Sequence, residues 1–147
     1  MKYFRNIFFM IICSMLLGCP AGKFIQYTLM QKAILKDGYY EIKSSERRLF
    51  RIRVGVFQQF TFERKNRLIA SFKFDSIESK KIFENSEVSI KSNSLGALKR
   101  EHVSDSSVLF IKDLNERQIN LLKNDTINII ITNQNCTKEI KFLSMIK

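Results

Sequence analysis

The period of hydrophobic and polar positions changes along the chain, and the changes mark its elements. Phe50, Ile52, Val54 and Val56 alternate with Arg51, Arg53 and Gly55. A period of two puts alternate side chains on opposite faces, so this stretch predicts a half-buried strand with an arginine-bearing outer face. Residues 57–62 continue it, with Phe60 and Phe62 on one face. Glu63-Arg64-Lys65-Asn66-Arg67 reads as a polar turn. Leu68, Ala70, Phe72 and Phe74 then alternate with Ile69, Ser71 and Lys73 in a return strand, completing a hairpin. Val88 and Ile90 alternate with Glu87, Ser89 and Lys91 in a further strand, and the polar run from Ser92 to Ser107 reads as a loop. Val108-Leu109-Phe110-Ile111 is continuously apolar, as a central strand covered on both faces would be. Ile127, Ile129 and Ile131 alternate with Asn128 and Thr132, Asn133 to Thr137 forms a turn, and Ile140 and Phe142 open the last strand.

Two segments carry a helical period. Leu114, Gln118, Leu121 and Leu122 place a short helix, with Asp113 as its cap and Glu116 three residues on to reach back. From Phe24 to Lys36, Ile25, Leu29 and Ala33 recur every fourth residue, and Asp37-Gly38 follows like a stop signal. That favours a short helix over an extended tether with a strand. The fold class is therefore mainly β: a single small β-sandwich or barrel-like domain with one or two short helices. A chain of 147 residues fits one ordinary domain.

The amino-terminal end obeys another rule. Lys2 and Arg5 form a positive start, and the stretch from Ile7 to Gly18 is mostly apolar and uncharged. Twelve helical residues reach about 18 Å, short of the roughly 30 Å of a bilayer core. The layout is that of a secretory signal. Leu16-Leu17-Gly18-Cys19 resembles the lipobox of bacterial lipoproteins. The resemblance implies cleavage between Gly18 and Cys19. It also implies a diacylglyceryl group on the Cys19 thiol and acylation of the new amino terminus, palmitate being typical. Two acyl chains suffice for stable anchoring. Pro20, where an aspartate would favour the inner membrane, implies passage to the outer membrane. The resemblance covers about nineteen residues and implies an address, not an activity. The expected organisation is a signal peptide over 1–18, a lipidated terminus with tether or short helix over 19–38, and a β-rich domain over 39–147. Cys13 would leave with the signal, so Cys136 would be the remaining unlipidated thiol, expected to be simply buried.

Charge divides the mature chain. Residues 19–73 hold 12 basic and 4 acidic side chains, whereas residues 74–147 hold 11 and 10. Arg47, Arg48, Arg51, Arg53, Arg64, Lys65 and Arg67 cluster around the expected hairpin, where they are candidates for binding a polyanion, an acidic glycan or anionic lipid. The bland alternative is a solvated face that discourages edge pairing. Nucleic acid is not expected as a partner of an exported protein.

Catalytic patterns are missing from the sequence. His102 has Ser104 and Asp105 nearby, but triads join distant segments, and no Gly-x-Ser-x-Gly elbow is present. The carboxylates form no calcium-loop or paired-acid pattern, and the five glycines form no phosphate loop or dinucleotide fingerprint. No metal, cofactor or enzymatic activity is expected. The expectation is a membrane-anchored envelope module that binds a protein partner or serves a structural role. A glycan-binding adhesin is the second reading and a small envelope enzyme a remote third.

Overall fold

The computed structural model describes residues 25–44, 47–60, 64–133 and 136–145, apart from the side chains at 44, 47–49, 59–60, 64 and 102–103. The signal segment and Cys19 lie outside the described residues. In chain order the elements are β1 (Gln26–Leu29), β2 (Leu35–Lys36), β3 (Tyr39–Ser44), β4 (Arg47–Phe60), β5 (Arg64–Lys73) and α1 (Ile77–Glu84). They continue as β6 (Glu87–Ser92), β7 (Gly96–Ala97), β8 (Lys99–Ser104), β9 (Ser107–Leu114), α2 (Glu116–Leu121), a 3-10 turn (Leu122–Asn124), β10 (Thr126–Asn133) and β11 (Cys136–Met145).

All strands join one antiparallel sheet in the order β7-β6-β10-β11-β1-β4-β5-β9-β8, with β3 also on β4 and β2 on β3. The two ends of this order are neighbours in the chain. β7 pairs β6, β8 pairs β9, and Leu98 alone separates β7 from β8. Leu98 is buried, and its amide donates to Ile90 O at 3.0 Å. A single bend thus brings the sheet round into a nearly closed barrel. The expectation of a small, mainly β barrel-like domain with short helices holds.

Alternation fills the barrel. Ile52, Val54, Val56, Leu68, Ala70, Phe72, Val108, Phe110, Ile127, Ile129, Ile140 and Phe142 are all buried. Eight or so strands enclose just enough room for side chains, so these residues occupy the interior themselves. The connections from β5 to β6 and from β9 to β10 cross opposite ends, each carrying a helix. Phe83 of α1 enters one end among Phe50, Phe72 and Phe74, with ring centroids 4.8–5.8 Å away. Leu122 of the 3-10 turn is fully buried at the other.

A buried carboxylate ties that second end together. Asp125 Oδ2 accepts from Tyr27 Oη at 2.9 Å and Ser92 Oγ at 2.8 Å, and Oδ1 accepts from the Ser94 amide at 2.9 Å. Its amide donates to Ser144 Oγ, and its carbonyl accepts from the Ser144 amide, both at 3.0 Å. One residue thereby joins β1, β6, β11 and the turn after β6. Burial, then the charge of Asp125 and the hydrogen bond to it, push the Tyr27 hydroxyl far above the ordinary tyrosine range.

Several local expectations change. Residues 25–36, the described part of the segment expected to be helical, hold no helix: β1 pairs β11 from Gln26↔Met145 to Leu29↔Phe142, so barrel strands begin before residue 39. The four-residue recurrence of Ile25 and Leu29 is also a two-residue one through buried Tyr27. Asp37 and Gly38, both with positive φ, form the two-residue turn between β2 and β3 rather than a helix stop. Residues 64–67 belong to the β4–β5 ladder, not to a turn, and the stretch 92–107 contains β7 and β8. The cap of α2 is Asn115, which exchanges hydrogen bonds with Gln118. Asp113 stays in β9 and pairs Arg67. Val108 and Phe110 are buried but Leu109 and Ile111 are half-exposed, so β9 is covered on one face fully and on the other only in part. Helix α1 has no hydrophobic stripe: Phe83 is its sole buried residue, and Ile77 and Ile82 are exposed.

Truncating Phe83 to alanine should lower unfolding stability by about 3–5 kcal/mol, whereas Ile77→Ala should cost no more than about 0.5 kcal/mol; urea midpoints of the two variants test this. Tyr27 also sets a pH dependence. The folded hydroxyl keeps its proton above about pH 10, where an unfolded tyrosine loses it, so stability falls as pH rises past that point. Thermal melts from pH 9 to about 11 should show a shallower alkaline decline in Tyr27→Phe than in the parent protein; equal slopes would contradict this origin.

Candidate functional site

The long strand β4 has one continuous neighbour and one interrupted one. On one side β5 pairs it from Arg51↔Lys73 to Phe60↔Arg64. On the other, β3 ends its pairing at Tyr40↔Ile52 and β1 meets it at Gln26↔Gly55. Among the described residues, Arg53 and Val54 therefore have no strand partner on that side. A cleft of about 400 Å³ opens there, lined by residues 25–28, Leu35, Gly38, Tyr40 and residues 53–57 of β4. Its size lies within the usual range for small-molecule sites. Both inward Val54 and Val56 and outward Arg53 and Phe57 contribute, as expected for a gap along a strand edge.

Arg53 forms one wall. Its guanidinium lies 4.5 Å from the Phe57 ring centroid and 5.2 Å from that of Tyr39. Stacking uses the faces of the planar group and leaves its N–H edges available. Arg53 Nε is buried without a hydrogen-bond partner. Lys73 Nζ sits 4.6 Å from the other aromatic neighbour, Tyr39, whose hydroxyl approaches Ser71 Oγ at 3.5 Å. Gly55 shapes the floor: a Cβ there would come within 3.2 Å of the Phe57 ring and 3.4 Å of Ile25 O. The bare glycine lets Phe57 lie across the strand.

The basic residues are in unequal surroundings. Their register puts Arg51, Arg53, Lys65 and Arg67 on the outer face of β4 and β5, with Lys73 beside them. Arg51 pairs Asp75 at 2.7 Å and Arg67 pairs Asp113 at 2.8 Å. Such partners, drawn from outside the basic segment, reduce the field that the bare arginine count suggests. Lys65 is exposed. Arg47, Arg48 and Arg64 lie on β4 and β5, but their side chains, like that of His102 on β8, are outside the described residues. Next to the cleft, Phe57, Gln58, Arg67, Ile69, Glu101, Leu109 and Ile111 line a shallow groove of about 330 Å³ across the same face.

Tyr39 and Gly55 were not singled out as a site by the residue pattern. A glycine inside an alternating strand was the available signal, because it marks a bulge or a close approach. Among the described residues, no group of three or more His, Cys, Asp or Glu could hold a metal ion, and no helix is long and apolar enough to cross a membrane. Comparison with known proteins finds no matching family model, and no curated protein or solved structure matches the chain.

Cys136 departs from expectation. It is exposed at the start of β11, where its amide donates to Asn133 Oδ1 at 3.0 Å. Iodoacetamide should therefore alkylate Cys136 in the native protein, as intact mass would show; protection until denaturant is added would contradict the exposure.

Proposed function

We propose that this chain is a lipid-anchored lipoprotein of the bacterial cell envelope, directed to the outer membrane, whose barrel serves as a non-catalytic binding module. The observation that carries the reading is the agreement of Lys2 and Arg5, the apolar run and the Leu16–Cys19 pattern. The fold is compatible with a function on its surface. Interior positions are taken by side chains, and both oxygens of buried Asp125 already accept hydrogen bonds.

An anchor at Cys19 would constrain orientation. Ile25 lies six positions on, a reach of at most about 22 Å. The start of β1 is at the barrel end that also carries α2 and the 3-10 turn. Arg117, Leu121 and Lys123 are exposed there. This end would face the bilayer, its cations toward anionic headgroups and the cleft open at the flank.

Mass spectrometry of the protein from its native membrane should find Cys19 as the acylated amino terminus. Cys19→Ser should leave an uncleaved precursor without lipid. A parent protein that matures with no acyl mass would refute the anchor.

A further inference from the structure

We infer that the cleft between β1 and β3 binds a small amphipathic monoanion, with a carboxylate on Arg53 and a compact apolar body against Phe57, Tyr40, Leu35 and the bare backbone at Gly55. The inference deepens the binding-module reading and is independent of the lipid anchor.

Charge decides the head group. The cleft-lining residues include one cation and no carboxylate. The neighbouring arginines, Arg51 and Arg67, have aspartate partners, whereas Arg53 is held by two ring faces. An incoming carboxylate would give the Arg53 guanidinium a charge-assisted bond. The flat fork of a stacked guanidinium suits a carboxylate approaching in its plane. One fixed cation matches a single negative charge better than a dianionic phosphate.

Shape decides the body. The gap occurs because β3 and β1 leave β4 at different points, and Gly55 adds no side chain to fill it. Part of the wall is held by the barrel, because Tyr40 stacks edge-on against fully buried Phe142 and Tyr27 is tied to Asp125, while Leu35 and Gly38 belong to the β2–β3 hairpin. A preformed cleft loses little ordering entropy when it is filled. Gln26 and Thr28, exposed along β1, offer polar contacts at the rim.

Dansylglycine, which carries a carboxylate on an aromatic body, and uncharged dansylamide are the probes. The full mature chain is held in phosphatidylcholine nanodiscs, with empty nanodiscs as the blank, and dansyl fluorescence is titrated. Dansylglycine should bind at least about tenfold more tightly than dansylamide, the factor expected of one charge-assisted hydrogen bond. Arg53→Gln should erase that preference, so that the two probes bind with equal affinity. Thr28→Trp, a change at an exposed rim position that should not disturb the core, should weaken both probes. Lys65→Gln, elsewhere on the face, should alter neither. Equal affinity for the two probes, a preference that survives Arg53→Gln, or no binding of either probe would overturn the inference. Acylation of Cys19, read by mass in the same preparation, stands or falls separately.

Discussion

A single buried carboxylate governs how this barrel is held at one end. Asp125 is fully buried with no cation against it among the described contacts, and is satisfied by Tyr27, Ser92 and the Ser94 amide. An ionised group so placed is tolerable only when its oxygens are answered by donors. The donors come from β1, from β6 and from the turn after β6, while Ser144 of β11 binds the Asp125 backbone. Removing one donor leaves a buried acceptor unmet, at a cost of about 1–3 kcal/mol. The network therefore specifies where β1 lies as much as it adds stability. It draws the short strand toward β11 and the 3-10 turn, and β1 meets β4 in register at one position only.

That placement produces the cleft. Had β1 paired along β4 as fully as β5 does, positions 53 and 54 would have strand partners and no gap would open. The barrel's other devices work in the opposite sense, by closing things. Leu98 brings the sheet round, Phe83 enters one end and Leu122 the other. An interior so filled moves recognition to the surface. On that surface the arginines divide by partner: Arg51 and Arg67 are neutralised locally by Asp75 and Asp113, whereas Arg53 is held between aromatic rings. Counting basic residues along the chain treats them alike, but their electrostatic availability differs because the partners are distant in sequence.

The elements best read from sequence were those whose burial follows a strict period. Over residues 50–56, 68–74, 127–129 and 140–144 every second residue is buried, so a short window contains the whole signal. Helix α1 escaped because one buried residue in eight leaves no period to detect. The segment 24–36 was misread because periods of two and four coincide at Ile25 and Leu29, and only burial of Tyr27 separates them. The Asp37-Gly38 turn carried its hairpin signal openly, but a helix stop uses the same residue types. In the candidate site, the arginine-bearing face was legible and the cleft was not.

Sequence alone determined which faces of the long strands point inward, that strands would dominate, and the lipobox-like pattern ahead of the domain. These are local properties, set by alternation and by short motifs that no distant residue can alter. Tertiary structure alone decided the strand order, closure through Leu98, the partners of Arg51 and Arg67, and the gap beside Arg53. Each depends on which segments meet across the sheet; Tyr27 and Asp125, for instance, are 98 positions apart in the chain. Such meetings follow from the register and packing of the whole barrel, and no window of the chain contains them.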